Sequence, residues 1–177
     1  MKFLETELSD AYIIDITPFE DDRGLFARTW CKKEFEAHGL NSSIMQANIS
    51  QNKLRGTLRG LHWQREPYAE CKLVRCTRGA ILDVIVDLRP GSDTFKSWIG
   101  VELTEQNHRT LLVPEGFAHG FQTLEDDSEV FYQVTQFYTP DVERGARYDD
   151  PAFAIEWPMD VAAISEKDLS WKPFDSE

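Results

Sequence analysis

Lys72-Leu73-Val74-Arg75-Cys76-Thr77-Arg78, then Gly79-Ala80, then Ile81-Leu82-Asp83-Val84-Ile85-Val86-Asp87-Leu88 sets two short apolar runs on either side of an Arg-Gly turn signal. Runs of this length, bounded by glycine, read as β-strands. The same rhythm extends outward. Upstream lie Tyr12 to Ile16, ended by Pro18, then Ile44 to Ser50 and Leu54 to Trp63. Downstream lie Trp98 to Leu103, Arg109 to Val113, Gly120 to Leu124 and Val130 to Tyr138. Turn chemistry separates them at Glu20 to Gly24, Pro90-Gly91-Ser92, Pro114-Glu115-Gly116 and Glu125-Asp126-Asp127. Helix is expected only at Cys31 to His38, stopped by Gly39, and in a short tail near Ser165 to Asp168; past Pro140 the chain reads as mostly irregular. Many short strands with turns between them predict an all-β antiparallel sandwich or barrel, whose mouth or interior holds one small ligand. No repeat or linker divides the chain, so one domain is expected over 1–177.

The totals narrow the function. A chain of 177 residues with 41% hydrophobic and 12% aromatic content can bury its own core, with disorder expected only in the last few residues. A formal charge of -12 argues against a nucleic-acid partner, because phosphates would be repelled. Cys31, Cys71 and Cys76 form no metal-type pair and suit a reducing compartment. No apolar run approaches the roughly 20 residues of a membrane span, and Met1 to Glu5 lacks a signal-peptide core. A cytoplasmic location is expected.

Against this acidic background, Gly56-Thr57-Leu58-Arg59-Gly60-Leu61-His62-Trp63-Gln64 and the following Lys72 put an arginine, a histidine and a lysine into strand-like segments. A single such residue is usually solvated, but burying several requires partners, and the cluster favours a site. Strict alternation sends Arg59 and His62 to opposite faces unless a bulge at Gly60 re-aims one. A lone strand histidine is more often a hydrogen-bonded core residue than a catalyst, yet its pKa suits a general base, and Asp83 and Asp168 are available partners. In Glu129 to Tyr138, alternation places Tyr132 and Tyr138 on one face and Phe131 and Phe137 on the other. The phenylalanines need only a packing explanation; the tyrosines can supply a phenolic acid and a stacking ring. His119 lies in a turn leading into a strand. With only His38, His62, His108 and His119 present, a three-histidine metal site is hard to assemble, so metal-free chemistry is favoured. GxxxxGK[ST], GxGxxG and GxSxG are all absent. A base, an acid and fixed cations suit proton abstraction next to a carbonyl.

Taken together, Leu58 to Gln64, Lys72 to Arg75, Asp83 to Arg89, Pro114 to Phe121, Tyr132 to Tyr138, Asp149-Asp150-Pro151 with Trp157-Pro158, and Ser165-Glu166-Lys167-Asp168 resemble the dTDP-4-dehydrorhamnose 3,5-epimerase family. The likeness runs in order from about Arg23 to Asp168. It implies a cupin-type jelly-roll barrel with a few short helices, no cofactor and no metal. It also implies a dTDP-linked 4-keto-6-deoxyhexose as substrate. By the same resemblance His62 would be the base and Asp168 its dyad carboxylate. Lys72, helped by Arg59, would hold the oxyanion, and Tyr132 would donate a proton on the opposite face. Arg23, Arg28, Gln46, Asn48, Arg59, Lys72, His119, Glu143 and Lys167 would hold the nucleotide-sugar, with Phe19 and Tyr138 sandwiching the base. The family is a homodimer that exchanges N-terminal strands, so Phe19 and Arg23 would serve the neighbouring subunit. Two departures stand out. Arg28 replaces a usual glutamate and reverses a charge near the nucleotide end. Glu70-Cys71 replaces a usual Gln-Gly and reads as tolerable, since neither is a proton-transfer position.

The expected reaction is inversion at C3 and C5. Its rivals are a mono-epimerase acting on one carbon, an epimerase on another nucleotide-linked sugar, and a silent barrel that binds without turnover. Intact His62, Lys72, Tyr132 and Asp168 argue against the last. A metal-dependent oxygenase ranks lowest.

Overall fold

The computed structural model describes residues 1–174; the tail for which disorder was expected falls mainly outside them. Thirteen strands form along the described chain: β1 (Lys2–Glu5), β2 (Tyr12–Asp15), β3 (Phe19–Asp21), β4 (Gly24–Phe26), β5 (Gln46–Asn52), β6 (Leu58–Gln64), β7 (Lys72–Arg78), β8 (Ala80–Asp87), β9 (Trp98–Thr104), β10 (Thr110–Val113), β11 (Phe117–Thr123), β12 (Ser128–Val134) and β13 (Glu143–Gly145). Two short helices join them, α1 (Lys32–Ala37) and α2 (Glu166–Leu169). One sheet runs β1-β2-β10-β7-β12-β5 and the other β13-β6-β11-β8-β9, every named pair being antiparallel. This is the expected all-β, jelly-roll type of sandwich.

Alternation explains why the sheets face each other. Val74 and Cys76 of β7, Leu111 and Val113 of β10, and Val130 of β12 meet Ile81 and Ile85 of β8, Val101 and Leu103 of β9, and Phe117 and Phe121 of β11 in one core. The outer faces are covered too. Leu73 and Leu112 pack under Phe35 of α1, while Leu61, Val86 and Ala118 pack under Phe153 and its neighbours. Toward the cavity the inward rows of β7 and β12 change character, Val74 giving way to Lys72 and Val130 to Tyr132, while across from them Asp83 interrupts the apolar row of β8 between Ile81 and Ile85, and His119 stands two residues from Phe121 on β11. The same periodicity that builds the core thereby delivers polar groups to its open end.

Several expectations need correction. The strand after Gly116 begins at Phe117, so His119 is held between β8 and β6 and does not lie in a turn. β12 stops at Val134, and Tyr138 lies beyond it, so strand alternation does not align Tyr138 with Tyr132. The segment expected to be irregular after Pro140 contributes β13, paired to β6. Glu20 to Gly24 does turn as expected, at the tip of the β3–β4 hairpin.

The position of Gly60 decides the fate of Arg59. Between β11 and β6, His119 pairs with His62 and Phe121 with Arg59, so β6 carries one extra residue in a bulge. Gly60 has φ +112, and a Cβ there would lie 2.5 Å from the Gly120 Cα and 2.7 Å from the His119 carbonyl oxygen. Only glycine fits so close a strand approach. The bulge brings Arg59 and His62, opposed under strict alternation, to one cavity.

Candidate active site

The cavity at the polar end has a volume of about 480 Å³ and is lined by Arg59, His62, Lys72, His119, Tyr132, Lys167 and Asp168. It adjoins a lobe of about 370 Å³ that shares His62, Lys72 and Tyr132 and adds Gln46, Asn48, Glu70, Tyr138 and Glu143. Both volumes are in the range of small-ligand sites. A larger hollow of about 620 Å³, lined by Trp63, Trp171 and Phe174, holds neither histidine. Chemistry, not size, selects the first.

His62 Nε2 and Asp168 Oδ1 are 2.6 Å apart. The partner arrives from far along the chain on α2, which is held in two ways. Ser165 caps the helix by accepting from the Asp168 N–H at 3.0 Å, and Leu58 N–H donates to the Ala163 carbonyl at 2.8 Å, stitching this segment to the start of β6. Burial alone would raise the Asp168 carboxyl, but the bonds from His62, Ser165 and the Gly60 N–H prevail and hold it below the usual carboxylate range. A buried carboxylate kept ionised fixes the orientation and tautomer of the imidazole. Trp171 walls the dyad, its ring centroid 6.5 Å from that of His62, and lies so close over Gly145 that any Cβ there would clash.

A second pair stands beside the first. His119 Nε2 lies 2.7 Å from Asp83 Oδ1, with Asp83 fully buried. Desolvation raises the Asp83 carboxyl, opposed by the nearby His119 and Lys72. Of the two aspartates available to His62, Asp168 takes it and Asp83 takes His119.

Opposite His62, on the other sheet, Tyr132 reaches into the cavity from β12. Its phenol is raised above its usual value by burial first and by the charge of Glu70 second, with Arg59 opposing. Arg59 is itself aimed by buried Asn52, whose Oδ1 accepts from Nε at 2.7 Å. Lys72, nearly buried, pairs with Glu70. At the mouth, Glu143 accepts from the Tyr138 hydroxyl at 2.8 Å and from Lys167 Nζ at 2.6 Å, while Gln46 Oε1 accepts from the Tyr138 N–H at 2.7 Å. Tyr138 thus joins Tyr132 at the site through its loop.

Three expected residues lie outside the cavity of their own chain. Phe19 and Arg23 are on the β3–β4 hairpin, where Arg23 is tied to Asp21. Arg28 contacts Glu34 at 3.5 Å, and Glu34 also binds the N-terminal amine. Conversely, sequence reasoning passed over Asn52 and Trp171 and set Glu70 aside. Glu70 had a usable signal: it stands two residues before Lys72, hence on the same side of an extended chain. Among the described residues no group of three or more His, Cys, Asp or Glu side chains could hold a metal ion.

Known proteins resemble this chain in sequence and fold along nearly its whole length. The family model described as dTDP-4-dehydrorhamnose 3,5-epimerase matches residues 5–176. A protein of that name from Methanothermobacter thermautotrophicus is 45% identical over 175 residues, covering 97% of this chain and 94% of its own. The crystal structure of the Elizabethkingia anophelis dTDP-4-dehydrorhamnose 3,5-epimerase superposes with a TM-score of 0.95 at 41% identity, over 99% of this chain and 97% of that one. The Bacillus anthracis enzyme, solved with TDP and PPi bound, gives 0.93 at 44% identity, over 97% and 98%. With fold, length and the matched residues in agreement, the chain belongs to the dTDP-4-dehydrorhamnose 3,5-epimerase family.

Proposed function

We propose that this chain is an isomerase that inverts C3 and C5 of dTDP-4-keto-6-deoxy-D-glucose, giving dTDP-4-keto-L-rhamnose, without a cofactor. The observation that carries this reading is the His62–Asp168 dyad on one sheet facing Tyr132 on the other across a single cavity. The 4-keto group acidifies the protons on C3 and C5. His62 removes one, and the resulting enolate oxygen is held by two positioned cations, Lys72, which is nearly buried, and Arg59, which Asn52 orients. Tyr132 returns a proton from the opposite face, which inverts the carbon. His119, Glu143 and Lys167 hold the nucleotide-sugar, with Gln46, Asn48 and Tyr138 toward its base. The whole chain acts as one catalytic domain in the cytoplasm, a placement supported by three unpaired cysteines. No helix of the described residues is long and apolar enough to cross a membrane.

Proton NMR of the substrate with enzyme in D2O tests the reaction, following C3 and C5 separately. Loss of both signals with changed configuration is the expected result. Loss of only one would make the enzyme a mono-epimerase, and binding without exchange a silent barrel.

The reading includes a homodimer that exchanges its N-terminal hairpins. Phe19 and Phe26 are 75% and 74% exposed on a β3–β4 ribbon that pairs with no other named strand. A two-stranded ribbon is marginal alone, and the six-stranded sheet ends in the free edge of β5, with Ile49 exposed. Docked on a neighbour, the hairpin would bring Phe19 and Arg23 to the partner's nucleotide. Arg23→Ala and His62→Ala chains, each nearly inactive, should complement when co-refolded. Random mixing makes half the dimers mixed, each with one intact site, so recovery should reach about a quarter of wild-type activity. No recovery would place Arg23 in its own chain's site or outside any site.

A further inference from the structure

We infer that Glu70 is a positioning residue of the epimerisation site, anchoring Lys72 and placing a negative charge on the lobe that Tyr132 lines; the inference rests on the reading just given. Glu70 sits at the entry to β7 with 9% of its side chain exposed, and pairs with Lys72, itself 11% exposed. Its other carboxylate oxygen accepts from Gln64 Nε2 at 3.2 Å. Gln64 is in turn fixed, because the same amide donates to the Tyr68 and Phe137 carbonyls and its Oε1 accepts from the Thr139 N–H at 2.6 Å. So nearly buried a carboxylate needs such partners, and here they aim it at the group assigned to the oxyanion.

The charge of Glu70 is felt beyond Lys72. Glu70, Lys72 and Tyr132 line one lobe together, and Glu70 is the second cause, after burial, of the raised Tyr132 phenol. The other charged or titratable groups on that cavity are Arg59, Glu143 with its partners Lys167 and Tyr138, His62 on Asp168, and His119 on Asp83. Arg59 acts in the opposite direction, favouring the phenolate. Glu70 offsets that pull, so the phenol keeps its proton to higher pH. A glutamine would accept the Lys72 hydrogen bond without the charge. Activity therefore persists further into alkali than it would with glutamine at this position.

The test is Glu70→Gln, which preserves shape and can keep an acceptor toward Lys72 but turns an NH2 toward the Gln64 amide and so gives up that bond. Two readouts apply. Tyrosinate absorbance during alkaline titration, taken as the difference between chains with and without Tyr132→Phe, isolates the Tyr132 phenol and does not depend on turnover. In the Glu70→Gln background it should ionise at lower pH, and the alkaline limb of kcat/KM should move down with it. Glu70→Asp, which keeps the charge, should restore much of the shift. An unmoved Tyr132 titration would overturn the proposal, even if Glu70→Gln were less stable. A moved titration in a protein that never exchanges C3 or C5 protons would leave the electrostatic link standing and sink the epimerase reading instead.

Discussion

His62→Ala should lose exchange at both C3 and C5, with kcat/KM falling by about 10³-fold, as expected for removal of a positioned general base. That loss corresponds to about 4 kcal/mol of transition-state stabilisation. Nucleotide affinity should stay near the wild-type value, because the groups assigned to the nucleotide, Glu143, Lys167 and His119, are held by contacts that do not pass through His62. Stability should fall far less than activity. Asp168 would lose one partner yet keep the Ser165 and Gly60 contacts that hold its carboxyl down, a cost of about 1 to 3 kcal/mol for a buried acceptor left partly unpaired. Thermal melting separates the two effects, since a folded protein with no deuterium entering either carbon is the expected outcome. Turnover retained in this variant would remove His62 as the base and turn attention to the second pair, His119 and Asp83.

How much of this was legible beforehand follows from the kind of signal each feature leaves. Strands β7 to β10 could be read because burial, on both faces for most of β7, β8 and β10, leaves short apolar runs in the sequence, and Lys72 and Tyr132 continue rows of core residues. β1 and β13 left little trace. Each is short and lies at a sheet edge, where one neighbour supplies the pairing and side-chain pattern is weakly constrained. Tyr138 was reached for the wrong reason: it enters the site from a loop anchored by Gln46 and Glu143, not along a strand face. The Gly60 bulge announced itself as a glycine, but whether it turned Arg59 inward depended on Gly120 of another strand, a tertiary fact. Likewise the choice between Asp83 and Asp168 for His62 required knowing where α2 docks. Glu70 was set aside because it moves no proton itself, whereas the structure puts its charge on Lys72 and near Tyr132.

Tyr132→Phe is the companion result and the more discriminating one. The ring packs against the Val74 and Val130 end of the core, so phenylalanine retains the apolar contacts. The hydroxyl has no protein hydrogen-bond partner among the described residues, so removing it strands no buried group and should leave stability nearly unchanged. Chemistry should split. His62 can still take the C3 and C5 protons, and Lys72 and Arg59 still hold the enolate, so deuterium should continue to enter both positions. Without a donor on the opposite face, the enolate recaptures deuterium from the His62 side and keeps its configuration. Net inversion should therefore drop by about 10²-fold to 10³-fold while exchange falls much less, a difference that NMR in D2O reads directly from signal loss against product formation. If exchange and inversion fell together, Tyr132 would be a residue that positions the sugar, and the proton returning to the opposite face would have to come from another group or from water. The placement the split requires is present: His62 on β6 and Tyr132 on β12 line one cavity from different sheets.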